Sequence, residues 1–171
     1  ASLQKNGYYP MDSTPERAIL NPPGYLASLE YHRSMGSFSY IHIHWHLINT
    51  STPATAYIDN IDLEGLWHCS RKTTIAGREV LIFCPEHLLI YLCEHALRVG
   101  HSFDRLILVC DILYTIRRCG KNIDWSFLHA EALRMGLLNF VYLALRIVHA
   151  YGGENVIKEE IIRILYPNDI S

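Results

Sequence analysis

Three histidines at alternating positions, His42, His44 and His46, are the densest run of ligating side chains in the chain. Along an extended strand every second side chain leaves the same face, at intervals of about 6 to 7 Å, so the three rings share one side. Ile41, Ile43, Trp45 and Leu47 then take the opposite, buried side. Two imidazoles at i and i+2 can share one zinc ion at about 2.0 to 2.1 Å, with a third ligand from His46 or from a neighbouring strand such as the one holding His32. The competing reading is a sheet face packed with aromatic and imidazole rings and holding no metal. No cysteine or carboxylate stands at matching spacing on the same strand.

His87, His95 and His101, with Asp104, Arg105 and Asp111, form a second group around the junction of two long helices. A His-Asp pair there would supply an acid and a base, and the same residues would equally satisfy the buried polar ends of helices. Arg105 and Asp111 are nearly two turns apart and face different neighbours, while His101 sits in the turn. Asp59 and Asp62 are the nearest carboxylate pair, but they flank a helix start, where capping accounts for at least one of them. A Gly-rich phosphate loop, GxSxG, HExxH, Asp-x-Asp and the Gly-Ser pair that opens a nucleotide-transfer site are all absent from these residues.

The elements that must position these groups make an α+β protein, a small antiparallel β region followed by a bundle of about five helices. We divide it at residue 84, with an irregular N-terminal segment and β region over 1–84 and the helices over 85–171, expected from chain length to be parts of one compact unit. Residues 1–28 are rich in Pro and Gly breakers, and Thr14-Pro15-Glu16 could open a short helix. The alternation over 29–33 and 37–47 predicts two neighbouring strands with a turn at 34–37. Residues 49–60 read as loop, Asp62 caps a short helix through His68, and 71–75 with 78–83 form a hairpin around Ala76-Gly77. Pro85 and Glu86 open a helix to about Val99, with Leu88, Leu89, Leu92, Cys93 and Ala96 inward. A second runs from Phe103 to Arg118 with Leu106, Val109, Cys110 and Leu113 inward and Arg117-Arg118 in the last turn. Asp124 caps a third over 125–135, a fourth over 137–151 is closed by Gly152-Gly153, and a fifth covers 155–165.

Bulk properties narrow the partners. Half of the 171 residues are hydrophobic, enough for a sizeable core, and the net charge is −2 with no long Lys/Arg run. Nucleic acid is therefore not an expected partner. No apolar run reaches the roughly 18 residues that span a bilayer, and Ala1–Pro10 has neither a basic nor an apolar leader region. The five cysteines form no CxxC pair, which fits a reducing cytoplasm.

Several short segments in order resemble the nucleotidyltransferases of the polymerase β-like superfamily, in a functionally uncharacterised bacterial branch with a helical C-terminal part. Leu3-Gln4-Lys5-Asn6-Gly7-Tyr8 resembles the end of the helix that follows that family's Asp-x-Asp strand. Ile41-His42-Ile43-His44-Trp45-His46-Leu47 resembles its strand motif of apolar, Asp or Glu, apolar, His-Trp, any, Leu. Pro85-Glu86-His87-Leu88-Leu89 resembles its Pro-Glu-Asp-x-Leu helix start. His95, His101-Ser102-Phe103-Asp104-Arg105-Leu106, Asp111-Ile112 and Asp124-Trp125 resemble its helical signature.

The resemblance implies transfer of a nucleoside monophosphate from an Mg-bound NTP to an unknown acceptor, with three carboxylates holding two Mg ions. It places the Asp-x-Asp pair before Ala1, so the chain is expected to be a truncated portion of such an enzyme. The third carboxylate falls at His42, a poor Mg ligand. The fragment is therefore expected to be inactive and to bind Mg and NTP poorly. His44, His95, His101, Arg105 and Asp111 are the substrate-binding candidates under this resemblance. The alternatives are a non-catalytic binding or structural domain, a pseudoenzyme, and a zinc-binding domain using His42, His44 and His46. A sheet lacking its first strands exposes an edge, so self-association through that edge is expected.

Overall fold

A computed structural model describes residues 2–10, 28–33, 39–44, 46–48, 58–98 and 105–167. The chain separates into two compact units, residues 1–56 and 57–171.

The first unit carries helix α1 (Ser2–Lys5) and strands β1 (Tyr9–Pro10), β2 (Ser28–Arg33) and β3 (Ser39–His44). They form an antiparallel sheet in the order β1-β2-β3. The irregular reading of the N-terminal segment is corrected for residues 2–10, which carry α1 and an edge strand. The position of Pro10 on a two-residue edge strand suits a residue that cannot donate to a ladder. The alternation of residues 29–33 sends Leu29 and Tyr31 into the core. Their cross-strand partners are Ile43 and Ile41, and there the expectation of a fully buried face fails, because Ile43 remains 42% exposed. Alternation fixes which residues share a face, whereas burial needs something packed over that face along its whole length. The second strand spans Ser39–His44, short of the expected Leu47, and residues 46–48 form a local bend. The predicted turn at 34–37 and the Thr14-Pro15 helix start lie outside the described residues, except that the same segment's strand neighbours are seen.

The second unit opens on a single 3-10 turn (Ile58–Asn60) and helix α2 (Leu63–His68). Asp62 caps α2 by accepting the Gly65 N–H at 2.9 Å. Strands β4 (Arg71–Ile75) and β5 (Arg78–Ile82) then form the expected hairpin. Its two-residue turn needs left-handed backbone at both positions, and Ala76 (φ 49°) and Gly77 (φ 75°) supply it. Five helices follow: α3 (Pro85–Leu97), α4 (Leu106–Cys119), α5 (Trp125–Arg134), α6 (Leu138–Gly152) and α7 (Glu159–Ile164). The architecture is α+β with a helical bundle. No helix among the described residues is long and apolar enough to cross a membrane.

Helix α3 packs against α4, α5 and α6. A helix touched on several sides is buried around more of its circumference than one stripe. This explains a correction: Leu89, Cys93 and Ala96 are buried as expected, Ile90 joins them, Leu88 and Leu92 are only half-buried, and Glu86, His87 and Glu94 are buried too. Helix α4 departs further. Leu106 is 76% exposed and Cys110 is exposed, while Leu108, Val109, Ile112 and Ile116 face inward. Residues 106–109 and 112–113 are all apolar, so two stripes about one residue apart fit the period equally well, and packing against α3 and α6 selects the second. Burial pushes the Cys84 thiol up to about 11 and raises that of Cys93 as well, so both act as small apolar core groups.

Asp124 caps α5 by accepting the N–H groups of Ser126 and Phe127. Its own N–H donates to Glu86 Oε1 at 2.9 Å, so a buried carboxylate on α3 fixes the start of α5. Asp124→Ala is expected to cost about 0.5–2 kcal/mol, measured by urea unfolding. A loss under a few tenths would mean that Glu86 alone holds this terminus.

Candidate functional site

The register of β2 and β3 pairs Glu30 with His42, His32 with Tyr40 and Ser28 with His44. Because side chains alternate, these six residues share one face of the sheet. His42 Nε2 lies 3.5 Å from Glu30 Oε1, with the two side chains 41% and 51% exposed. The His42 and His44 rings stand 4.3 Å apart between centroids. On the opposite face Tyr8 Oη lies 3.1 Å from Ser39 Oγ, and the Arg33 guanidinium sits over the Tyr8 ring. Glu30 is the residue that the sequence reading missed. The signal was present, since two strands joined by a turn at 34–37 must set residue 30 close to residue 42.

His46 does not extend this face. It lies beyond the end of β3, and its Nδ1 is 3.1 Å from Ile48 N and 3.2 Å from Ile48 O. The ring is thus engaged with local backbone rather than aligned with His42 and His44.

In the helical unit His87 is only 1% exposed, and its Nε2 lies 3.1 Å from Glu131 Oε2 on α5. Its ring packs against Phe127. Arg134 donates to both oxygens of the same carboxylate, at 3.0 and 2.8 Å, and to the Asn60 carbonyl at 3.1 Å. The hydrogen bonds from Arg134, and secondarily from His87, hold the Glu131 carboxyl below its usual range against the opposing effect of burial. This is a His-carboxylate pair closed to solvent at the imidazole, and it ties α3 to α5.

The remaining residues singled out by spacing are dispersed. His95 is half-buried and stacks on Tyr91 at 5.6 Å. Arg105 is exposed at the N-cap position of α4 without a side-chain cap bond. Asp111 is exposed, and its backbone carbonyl accepts the Thr115 hydroxyl. His101 and Asp104 lie outside the described residues.

Residues 1–153 match the family described as an uncharacterised nucleotidyltransferase. The chain belongs to that family. No curated protein and no solved structure matches it.

The donors on the sheet face do not suit the Mg ions that nucleotidyl transfer implies. Mg demands near-octahedral oxygen coordination, and this face of β2 and β3 offers one carboxylate, Glu30, beside three imidazoles, His32, His42 and His44. No Asp-x-Asp occurs in the 171 residues. Among the described residues, the set of metal-type side chains whose ligand atoms converge is His149, Glu154 and Glu159, in the helical unit.

Proposed function

We propose that this chain is part of a protein that transfers a nucleoside monophosphate from an NTP to an acceptor, and that the 171 residues alone do not carry out the transfer. The family match over residues 1–153 supports the reaction class. The observation that carries the second half is the identity of His42, at the strand position where the family resemblance expects a carboxylate, with Glu30 the sole carboxylate paired with it across the ladder. Glu30, His42 and His44 together form a polar, solvent-facing patch suited to contacting a nucleotide or its acceptor through hydrogen bonds. They do not form an oxygen cage for two Mg ions. The same observation favours a second reading, a family member that binds a nucleotide without transferring it.

Incubating the chain with an α-labelled NTP, Mg and extracts of candidate acceptors tests the proposal. No label transfer above background is expected. Transfer that depends on Mg and on this chain would overturn the inactive reading. Equilibrium dialysis with labelled NTP is the companion measurement, with Glu30→Gln and His44→Ala as variants. Retention weakened several-fold by either variant supports the sheet face as the contact surface, whereas retention unchanged in both removes it. The intact mass of the protein from its native cells, set beside its gene, decides between the two readings, since a Gly-Ser and Asp-x-Asp segment in the native chain favours transfer.

A further inference from the structure

His149 lies in the last turn of α6, Glu154 in the connection that follows and Glu159 at the first residue of α7. One ligand atom from each lies within 4.8 Å of the others. His149 Nε2 is 3.5 Å from Glu159 Oε2. In a tetrahedral zinc site with bonds of about 2.0–2.2 Å, neighbouring donor atoms stand about 3.4 Å apart, so this edge already has the required length.

The orientation of His149 adds a second, independent observation. Its Nδ1 lies 2.9 Å from the Ile157 carbonyl oxygen, an atom that can only accept. Nδ1 is therefore the donor, which leaves Nε2, facing Glu159, as the nitrogen that a cation would take up in place of a proton. Metal-bound imidazoles use this same arrangement, with the distal nitrogen held by a carbonyl or carboxylate. Arg146 Nη1 contacts both Glu159 oxygens, at 3.2 and 3.3 Å, and neutralises one of the two carboxylates. A carboxylate has lone pairs enough for a guanidinium and a cation together.

We propose that His149, Glu154 and Glu159 bind one divalent transition cation of zinc's class, which clamps the end of α6 to the start of α7. One imidazole nitrogen with two carboxylate oxygens suits zinc better than Mg, and it leaves a fourth position for water. Glu159 also lines a cavity of about 430 Å³ with Tyr142, Arg146, Arg163 and Tyr166. Glu154 and Glu159 lie beyond the family match, which ends at residue 153. The site is also independent of the β2–β3 face.

The test is calorimetric titration of the chelator-treated full chain with zinc, with cobalt absorption as a report on coordination geometry. Near-stoichiometric uptake and a tetrahedral cobalt spectrum are expected. The Glu154 carboxylate accepts the Glu159 N–H at 3.3 Å, a bond that an amide oxygen can keep, so Glu154→Gln, with the fold checked by circular dichroism, should weaken zinc binding by at least about tenfold, as should Glu159→Gln. The pair His42→Ala and His44→Ala should leave it unchanged. The proposal is overturned by the absence of saturable uptake, by affinity within twofold of the parent in both glutamate variants, or by loss of binding in the His42/His44 variant instead.

Discussion

Arg98→Met is expected to cost about 3–5 kcal/mol of stability, the largest effect of any single polar substitution proposed for this protein. Glu94 lies on the buried side of α3, its side chain only 2% exposed, and Arg98 one turn later is 12% exposed and hydrogen bonded to it. Removing the guanidinium leaves an ionised carboxylate without its partner in a low-dielectric core, and the penalty is set by that isolated charge rather than by the strength of the pair. The paired replacement Glu94→Leu with Arg98→Met is therefore expected to recover most of the loss, because two apolar groups need no counter-charge. Urea unfolding of the parent, both single variants and the double variant gives the full cycle. A loss below about 1 kcal/mol in Arg98→Met, the level typical of surface pairs, would show that water reaches the Glu94 carboxylate.

The contrast between this pair and the sheet histidines shows what a sequence can and cannot disclose. Caps, breakers and the hairpin turn depend on residues close in the chain, and for that reason Asp62, Asp124, Ala76-Gly77 and the helix start at Pro85 were all legible. The period of three to four likewise gave the helices after Pro85. The face that each helix buries was less legible, because α3 contacts three other helices and α4 carries two adjoining apolar stripes. The partners of charged groups were the least legible. His87 was grouped with His95, Asp104 and Asp111 by proximity in sequence, yet its carboxylate comes from Glu131, 44 residues away. Glu30 and Glu159 are illegible for the same reason, since strand register and helix packing bring them to His42 and His149. Long-range pairing is a property of topology, and local pattern carries little of it.

Glu131 provides the second large effect and a pH dependence of known sign. Glu131→Ala removes the acceptor of two Arg134 hydrogen bonds and leaves His87 Nε2 buried without its partner, in a ring whose Nδ1 already has no hydrogen bond. A loss of about 1–3 kcal/mol at neutral pH is expected, with Arg134 partly exposed and its share of the interaction screened accordingly. The folded carboxyl titrates below its ordinary value of 4.5, chiefly because Arg134, and then His87, donate to its ionised form. A depressed folded value means that the unfolded chain takes up the proton first as pH falls. The stability contributed by ionised Glu131 is accordingly complete above pH 4.5 and is lost as pH falls through the folded value. The Glu131→Gln variant lacks this titration, so the difference in unfolding free energy between parent and variant should be constant from neutral pH to about 5 and should shrink steadily below 4. A difference that stays constant down to pH 3 would mean that the network holds through shape and neutral hydrogen bonds. In that case the ionised pair with Arg134 would contribute nothing to the docking of α5 on α3.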